Sequence, residues 1–164
     1  MKNRRIGGKN AEHRNAWQQI HAEVRRYGAD IIASPRVQSQ KKYLQHGSVT
    51  VYDHTCRVAC VGLWLAEQLG LRIDKRALVR GALLHDYFLY DWHVPDASHR
   101  LHGFTHARCA LRNAQRDFQL CPIECDIIEK HMFPLNIRPP KYRESVLICI
   151  ADKISATIET VRRK

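Results

Sequence analysis

Apolar residues recur at intervals of three and four along most of this chain, and helix start and stop signals bound the segments that carry them. No segment alternates apolar and polar residues between hairpin turns, which is the pattern typical of a β-strand. With 164 residues, the chain is long enough to bury the core of one domain without disulfides or a structural metal. The sequence therefore predicts a compact, all-α helical bundle.

The N-terminal segment differs from the rest of the chain in its charge. Residues 1–42 contain ten Lys and Arg against three Asp and Glu, and so carry much of the formal net charge of +11. Apolar residues within 11–32 predict a helix that Gly28 weakens. We expect a basic N-terminal extension, residues 1–47, with one helix packed on the core, and a core domain, residues 48–164.

Two predicted helices of the core carry histidine at informative places. In the helix from Thr50 to Leu69, apolar residues follow His54 at i+4, i+7 and i+11, so this histidine shares the face that points into the core. Asp74 is a suitable N-cap for the next helix, which leads through an apolar run to His85 and Asp86. This pair is therefore predicted near a helix C-terminus.

Three further predicted helices follow. Thr105 is expected to cap a helix that has His106 in its first turn, because Gly103 disfavours a continuous helix from an earlier start. Pro122 suits the first position of the next helix, which leads to His131. A last helix runs from after Pro140 to about Arg162 and carries Asp152.

Four histidines and two aspartates in this order predict a buried metal centre. One histidine on an apolar helix face is more often a hydrogen-bonded core residue, but here each member lies on its own helix or helix end. Imidazole and carboxylate ligands suit zinc, iron, manganese and cobalt. The predicted ligands are His54, His85, Asp86, His106, His131 and Asp152.

The adjacency of His85 and Asp86 needs a geometric explanation, since neighbours on a regular helix point about 100° apart. The two side chains can converge at a helix end, or Asp86 can bridge two ions; we favour the bridge. His102 competes with His106 for one ligand position, and we favour His106 because it begins a predicted helix.

Three short stretches contain most of the predicted ligands: residues 54–58 (HTCRV), residues 81–86 (GALLHD) and residues 151–153 (ADK). These stretches resemble the core motifs of the HD-domain superfamily of metal-dependent phosphohydrolases. The likeness extends over about residues 48–160. It implies a compact HD-domain helical bundle around a divalent transition-metal centre.

The resemblance also implies how the ligands are shared. His54, His85, Asp86 and Asp152 would hold one ion, as in mononuclear and binuclear members of the superfamily. The two remaining histidines, His106 and His131, would add a second ion, with Asp86 bridging. The expected cofactor is two ions of iron, manganese, zinc or cobalt.

The implied activity is hydrolysis of a nucleotide or another phosphate ester by a metal-activated water. Arg57 lies one helical turn from His54 and Lys153 lies beside Asp152, so both are candidates to bind a small anionic, phosphate-containing substrate. A supporting ion pair explains each of these cations equally well. The predicted catalytic residues are Asp86, Arg57 and Lys153.

Two other functions fit the same residues: a di-iron oxygenase of the HD type, and a non-enzymatic nucleic-acid-binding module with phosphate contacts from the basic extension. Nucleic acid is not favoured as a partner, because the chain has no recognisable nucleic-acid motif. The longest apolar run, Val58 to Ala66, is far shorter than the ~20 residues of a membrane span. We expect a cytoplasmic protein without a membrane partner; the sequence does not predict its oligomeric state.

Overall fold

The computed structural model of the chain describes residues 4–93 and 102–161, with the side chains of 4–13, 46 and 102 outside the description. The described α-helices are α1 (Arg4–Tyr27), α2 (Ala29–Ile32), α3 (Pro35–Gln38), α4 (Val51–Gln68), α5 (Lys75–Leu84), α6 (His102–Asp117), α7 (Pro122–Lys130) and α8 (Arg143–Val161). A 3-10 turn (Ser39–Lys42) and a hairpin of β1 (Leu44–His46) and β2 (Val49–Thr50) lie between α3 and α4. The all-α prediction is confirmed, although the hairpin was not predicted.

Side-chain caps begin the two helices that lead into the candidate site. The hydroxyl of Thr50 accepts a hydrogen bond from the backbone N–H of Asp53 at the start of α4. The carboxylate of Asp74 accepts one from the backbone N–H of Ala77 at the start of α5. Both bonds satisfy an amide that has no partner within its helix, so the predicted starts of these helices are confirmed.

The helices that carry the predicted ligands pack around one interior. Helix α4 packs against α5 and α8, α5 packs against α7, and α7 packs against α6 and α8. Val58 and Leu63 of α4, Leu83 of α5 and Ile148 of α8 are buried between these helices. This packing brings the first turn of α4 and the middle of α8 close to the C-terminal ends of α5 and α7.

The N-terminal segment contributes to the same core, since Ile20, Ile31 and Val37 are fully buried. The described part of residues 1–47 contains three α-helices where one was predicted: α1 ends at Tyr27 and α2 follows Gly28, the residue predicted to weaken the helix. A Cβ at Gly28 would lie 2.3 Å from a methyl group of Leu83, so a larger residue would clash with α5 at this point. The division at residue 47 into an extension and a core stays a prediction.

The predicted start of α6 at Thr105 is also wrong. The helix is continuous from His102, and His106 therefore lies in its second turn. Gly103 is accommodated because one glycine costs a helix only about 1 kcal/mol, which the packing of an amphipathic helix can offset. The preceding residues 94–101 lie outside the described part of the chain.

The last two helices agree with their predicted limits, since α7 begins at Pro122 and α8 follows Pro140. The predicted end at Arg162 lies just outside the described residues. Within the described part of the chain, every helix is too short or too polar to span a lipid bilayer.

A glycine sets the spacing of the two helices that end at His85 and His131. A Cβ added at Gly81 of α5 would lie 2.6–2.9 Å from three side-chain atoms of Ile127 on α7, closer than carbon atoms approach each other. We expect Gly81→Ala to lower the free energy of unfolding by about 1–3 kcal/mol through overpacking, measured by urea denaturation.

The matched control is Gly103→Ala, because a Cβ at that position of α6 meets only Leu135 among the described residues, at 3.7 Å. This variant should be neutral or slightly more stable, since alanine favours a helix by about 1 kcal/mol over glycine. Equal stability of both variants and the wild type would contradict the close packing of α5 against α7.

Candidate metal centre

Two predicted ligands, His85 and His131, occupy equivalent positions as the C-caps of α5 and α7. Each donates its Nδ1–H to the carbonyl oxygen three residues earlier: His85 to Ala82 at 2.7 Å and His131 to Ile128 at 2.9 Å. The last carbonyls of a helix lack intrahelical partners, which is why a histidine there can bond with them. Because a carbonyl only accepts, Nδ1 carries the proton in the neutral ring and Nε2 presents a lone pair.

The carboxylate of Asp86 lies between two groups of histidines. Its Oδ2 is 3.4 Å from Nε2 of His85 and 3.9 Å from Nε2 of His54. Its Oδ1 is 3.3 Å from Nε2 of His106 and 3.5 Å from Nε2 of His131. The two oxygens of one side chain therefore face different sets of ligand atoms.

His54 is held between two carboxylates of α8. Its Nε2 donates to Oδ1 of Asp152 at 3.1 Å and its Nδ1 donates to Oε2 of Glu159 at 2.9 Å. The other oxygen of Glu159 accepts a hydrogen bond of 2.7 Å from Arg57. Sequence reasoning missed Glu159; its position seven residues after Asp152, two turns along the same helix face, was the available signal.

The pKa values of the histidines follow from these contacts. Burial lowers the pKa of His54, but hydrogen bonds to Asp152 and Glu159 outweigh it and raise the pKa to about 10. Burial lowers the pKa of His85 to about 4, despite the nearby charge of Asp86. In the metal-free protein His54 is therefore protonated near neutral pH, whereas His85 is neutral.

Both aspartates of the cluster are ionised near neutral pH. Burial by itself raises the pKa of a carboxyl, but the neighbouring histidines hold the pKa of Asp86 well below its usual range. The hydrogen bond from His54 and the charges of nearby histidines lower the pKa of Asp152 to about 2 in the same way. The cluster thus contains the buried negative charge of Asp86 and the partly buried negative charge of Asp152.

The arrangement of unpaired atoms fits a divalent cation. Nε2 of His85 and Oδ1 of Asp86 are buried and have no hydrogen-bond partner among the described residues. The lone pair of His85 also lies 3.8 Å from Oδ1 of Asp152, so electron-rich atoms face one another. Ligand atoms within 4.8 Å of one another form two triads, His54–His85–Asp152 and His85–Asp86–His131. Such nitrogen and carboxylate sets suit zinc, iron, manganese or cobalt.

The structure brings all six predicted ligands together, including His106, whose Nε2 is 2.9 Å from Nε2 of His131. The competing residue His102 has its side chain outside the described part of the chain. The role of each residue as a ligand stays a prediction, as does the choice of His106 over His102.

The predicted phosphate-binding residues lie beside the ligands but contact groups that support them. Arg57 pairs with Glu159, and the ammonium group of Lys153 lies 3.3 Å from the carbonyl of His131 and 3.2 Å from that of Cys149. Their roles in catalysis stay predictions.

Two glutamines that sequence reasoning missed contact the central aspartate. Gln45 donates from Nε2 to Oδ2 of Asp86 at 2.7 Å, and Gln40 donates from Nε2 to its backbone carbonyl at 3.0 Å. Both belong to the polar stretch before α4, where sequence alone gave no reason to expect site residues.

The predicted ligands lie in a region that is similar to known proteins. The family model of the HD domain matches residues 51–157, which include every predicted ligand, so the resemblance inferred from three short stretches is confirmed. Ribonuclease Y of Pseudothermotoga lettingae is 34% identical over 114 residues, which make up 70% of this chain and 20% of that protein. The chain therefore spans about a fifth of the length of this relative. No solved structure matches the chain.

We expect Glu159→Gln to lower the pKa of His54 in the metal-free protein, because a neutral amide stabilises the imidazolium less than a carboxylate does. The measurement is an NMR titration of the histidine ring signals. Glu144→Gln is the matched control: this buried glutamate accepts a hydrogen bond from the backbone of Asp74, away from the cluster. An unchanged titration of His54 in Glu159→Gln would contradict the contact.

The raised pKa of His54 makes the free energy of unfolding of the metal-free wild type depend on pH. Because this pKa is raised from its ordinary value of 6.5 to about 10, the contribution of His54 to the free energy of unfolding is fully present below pH 6.5. The contribution is lost as the pH rises through about 10. Glu159→Gln should show less of this loss in urea denaturation.

Proposed function

We propose that this chain, which belongs to the HD-domain family, is a metal-dependent phosphohydrolase that acts on a nucleotide or another phosphate ester. The observation that carries the proposal is the ionised, buried Asp86, whose two oxygens face separate groups of histidine nitrogens. Gln45 donates to Oδ2, whereas Oδ1 has no hydrogen-bond partner among the described residues. A buried charge that is only partly hydrogen-bonded is costly unless a cation neutralises it.

The side chains divide between two proposed ions. His54, His85 and Asp152, with Oδ2 of Asp86, would hold one of them. His106 and His131, with Oδ1 of Asp86, would hold the second. When bound, such ions stabilise the charge of phosphoryl oxygens and lower the pKa of a water molecule that acts as the nucleophile.

The chain prepares these ligands before any cation arrives. The backbone carbonyls of Ala82 and Ile128 hold His85 and His131 in the tautomer whose Nε2 can coordinate. Glu159 orients His54 through Nδ1, and its carboxylate remains paired with Arg57 when His54 loses its proton.

Two cations near the cluster are proposed to hold the substrate. Lys153 has three N–H donors and bonds with two carbonyls among the described residues, so one donor remains for a phosphoryl oxygen. Arg57 uses one of its five donors on Glu159, and its side chain is 36% exposed. The hydrogen bond from a charged donor becomes stronger as negative charge develops on the phosphoryl group.

The substrate class is proposed from charge and from the relative. The net charge of +11 favours anionic molecules by raising their local concentration. Ribonuclease Y is by name a ribonuclease, which makes an RNA phosphodiester the second candidate beside a nucleotide. We favour a nucleotide, because no nucleic-acid motif occurs in the sequence.

The test is a hydrolysis screen over nucleotides and a labelled RNA, with manganese, iron, cobalt or zinc added. We expect Asp86→Asn to reduce turnover by more than about a hundredfold, since metal catalysis contributes several kcal/mol. The matched control is Asp91→Asn, which removes an exposed carboxylate five residues later and should retain full activity.

Three results would contradict the proposal. Full activity of Asp86→Asn would show that turnover does not require the carboxylate on which the proposal rests. Oxygen consumption by the iron-loaded protein without phosphate-ester cleavage would indicate the di-iron oxygenase. Steeply salt-dependent nucleic-acid binding that chelators leave unchanged, with no turnover, would indicate a binding module.

Metal uptake should depend on pH, because His54 must lose its proton before it coordinates. With the pKa of His54 near 10 in the metal-free protein, each pH unit between about 6 and 8 should raise the apparent affinity roughly tenfold. Calorimetric titration in buffers of different ionisation enthalpy should show about one proton released from His54. Uptake that is independent of pH over this range would contradict the coordination of His54.

A further inference from the structure

The hairpin before α4 has an irregularity at Gln45. Leu44 pairs with Thr50 and His46 pairs with Val49, so β1 advances two residues while β2 advances one. Gln45 is therefore an extra residue on β1, which is the definition of a β-bulge. A bulge can redirect a side chain. Gln45 is buried, whereas its neighbour Leu44 is 45% exposed.

The bulged side chain reaches the aspartate of the proposed metal centre. Nε2 of Gln45 donates a buried hydrogen bond of 2.7 Å to Oδ2 of Asp86. The ionised carboxylate only accepts hydrogen bonds, so this contact fixes which end of the amide faces it. Gln40 holds the backbone of the same aspartate through its carbonyl oxygen at 3.0 Å.

The contact selects one orientation of the carboxylate. With Oδ2 held by Gln45, the other oxygen of Asp86 lies toward His106 and His131, at 3.3 Å and 3.5 Å from their Nε2 atoms. A carboxylate without such a donor is free to turn about its last side-chain bond, whose torsional profile is broad. Hydrogen bonds of this kind commonly orient carboxylate ligands in metal sites.

The other end of the amide has an unusual environment. Oε1 of Gln45 is buried and has no hydrogen-bond partner among the described residues. A buried acceptor left unpaired costs about 1–3 kcal/mol, so the chain places this amide here at some expense of stability. Such groups in a native structure call for an explanation, and a functional role is one.

We propose that Gln45 is a positioning residue that orients Asp86 so that its two oxygens serve the two halves of the metal centre. The inference rests on the proposed function, because it requires that Asp86 binds metal. It also assigns a role in the site to the N-terminal hairpin, which lies before the region matched by the HD family, residues 51–157.

The test is cobalt binding by the full chain, followed by stoichiometry, affinity and the visible absorption spectrum of the bound ion. Gln45→Met keeps the length of the side chain and removes its donor. We expect a 10- to 100-fold loss of affinity, roughly the effect of losing such a partner of a metal ligand, together with a changed spectrum. A purely structural role would leave the spectrum of the folded, loaded protein unchanged.

Gln38→Met is the matched control, because the amide of Gln38 donates to the backbone carbonyl of Ile32, in the same segment but away from the site. It should bind cobalt as the wild type does. Gln45→Asn is the second variant: it keeps an amide but is one methylene too short to reach Asp86. We expect the same loss of cobalt affinity in Gln45→Asn as in Gln45→Met. If Gln45→Met does not fold, Gln45→Asn serves as the test variant.

The outcomes separate the two proposals. If the wild type takes up no ion, the proposed function fails and the role of Gln45 falls with it. If the wild type binds cobalt and the folded Gln45 variants bind it with the same stoichiometry, affinity and spectrum, the proposed function stands and the role of Gln45 is overturned.

Discussion

The ionised carboxylates of Asp86, which is buried, and Asp152, which is partly buried, lie among histidine nitrogens, and the surrounding helices position this charge. Removing a carboxylate from water costs several kcal/mol even after the protein relaxes. Part of this cost is offset by the hydrogen bond from Gln45 to Asp86 and by the protonated ring of His54 beside Asp152. Nε2 of His85 and Oδ1 of Asp86 lack hydrogen-bond partners among the described residues, and a divalent cation would satisfy both atoms. This requirement links the fold to the proposed chemistry.

Two of the predicted ligands lie at the ends of helices. His85 and His131 follow the last turns of α5 and α7, where free backbone carbonyls fix the orientation of each ring. The close contact of Gly81 with Ile127 sets how near these two helix ends lie. A shift of either helix would therefore move a histidine together with the carbonyl that orients it.

The sequence was sufficient to predict a helix start wherever an interaction between residues close in the chain determines that start. The caps at Thr50 and Asp74 and the first-turn proline at 122 act within a few residues, so the starts of three helices could be predicted. The start of α6 could not, because the penalty of one glycine is smaller than the packing energy of a helix.

The supporting residues of the site depend on contacts between distant parts of the chain. Glu159 lies 105 residues from His54, and Gln45 lies 41 residues from Asp86. Strand β1 has only three residues, too few to show an alternation of apolar and polar residues. The sequence around Gln45 therefore gives no sign that this residue is buried. That the six predicted ligands lie together could be inferred because histidine and aspartate after apolar runs are chemically distinctive, whereas a glutamine in a polar stretch is not.

Anomalous X-ray scattering from crystals grown with manganese or zinc tests the proposed centre most directly, because it locates each ion relative to the carboxylate of Asp86. We predict two peaks, one among His54, His85 and Asp152 and one beside His106 and His131, with Asp86 between them. A crystal that shows no peak within coordination distance of Asp86 at saturating metal would contradict the metal centre and the function built on it.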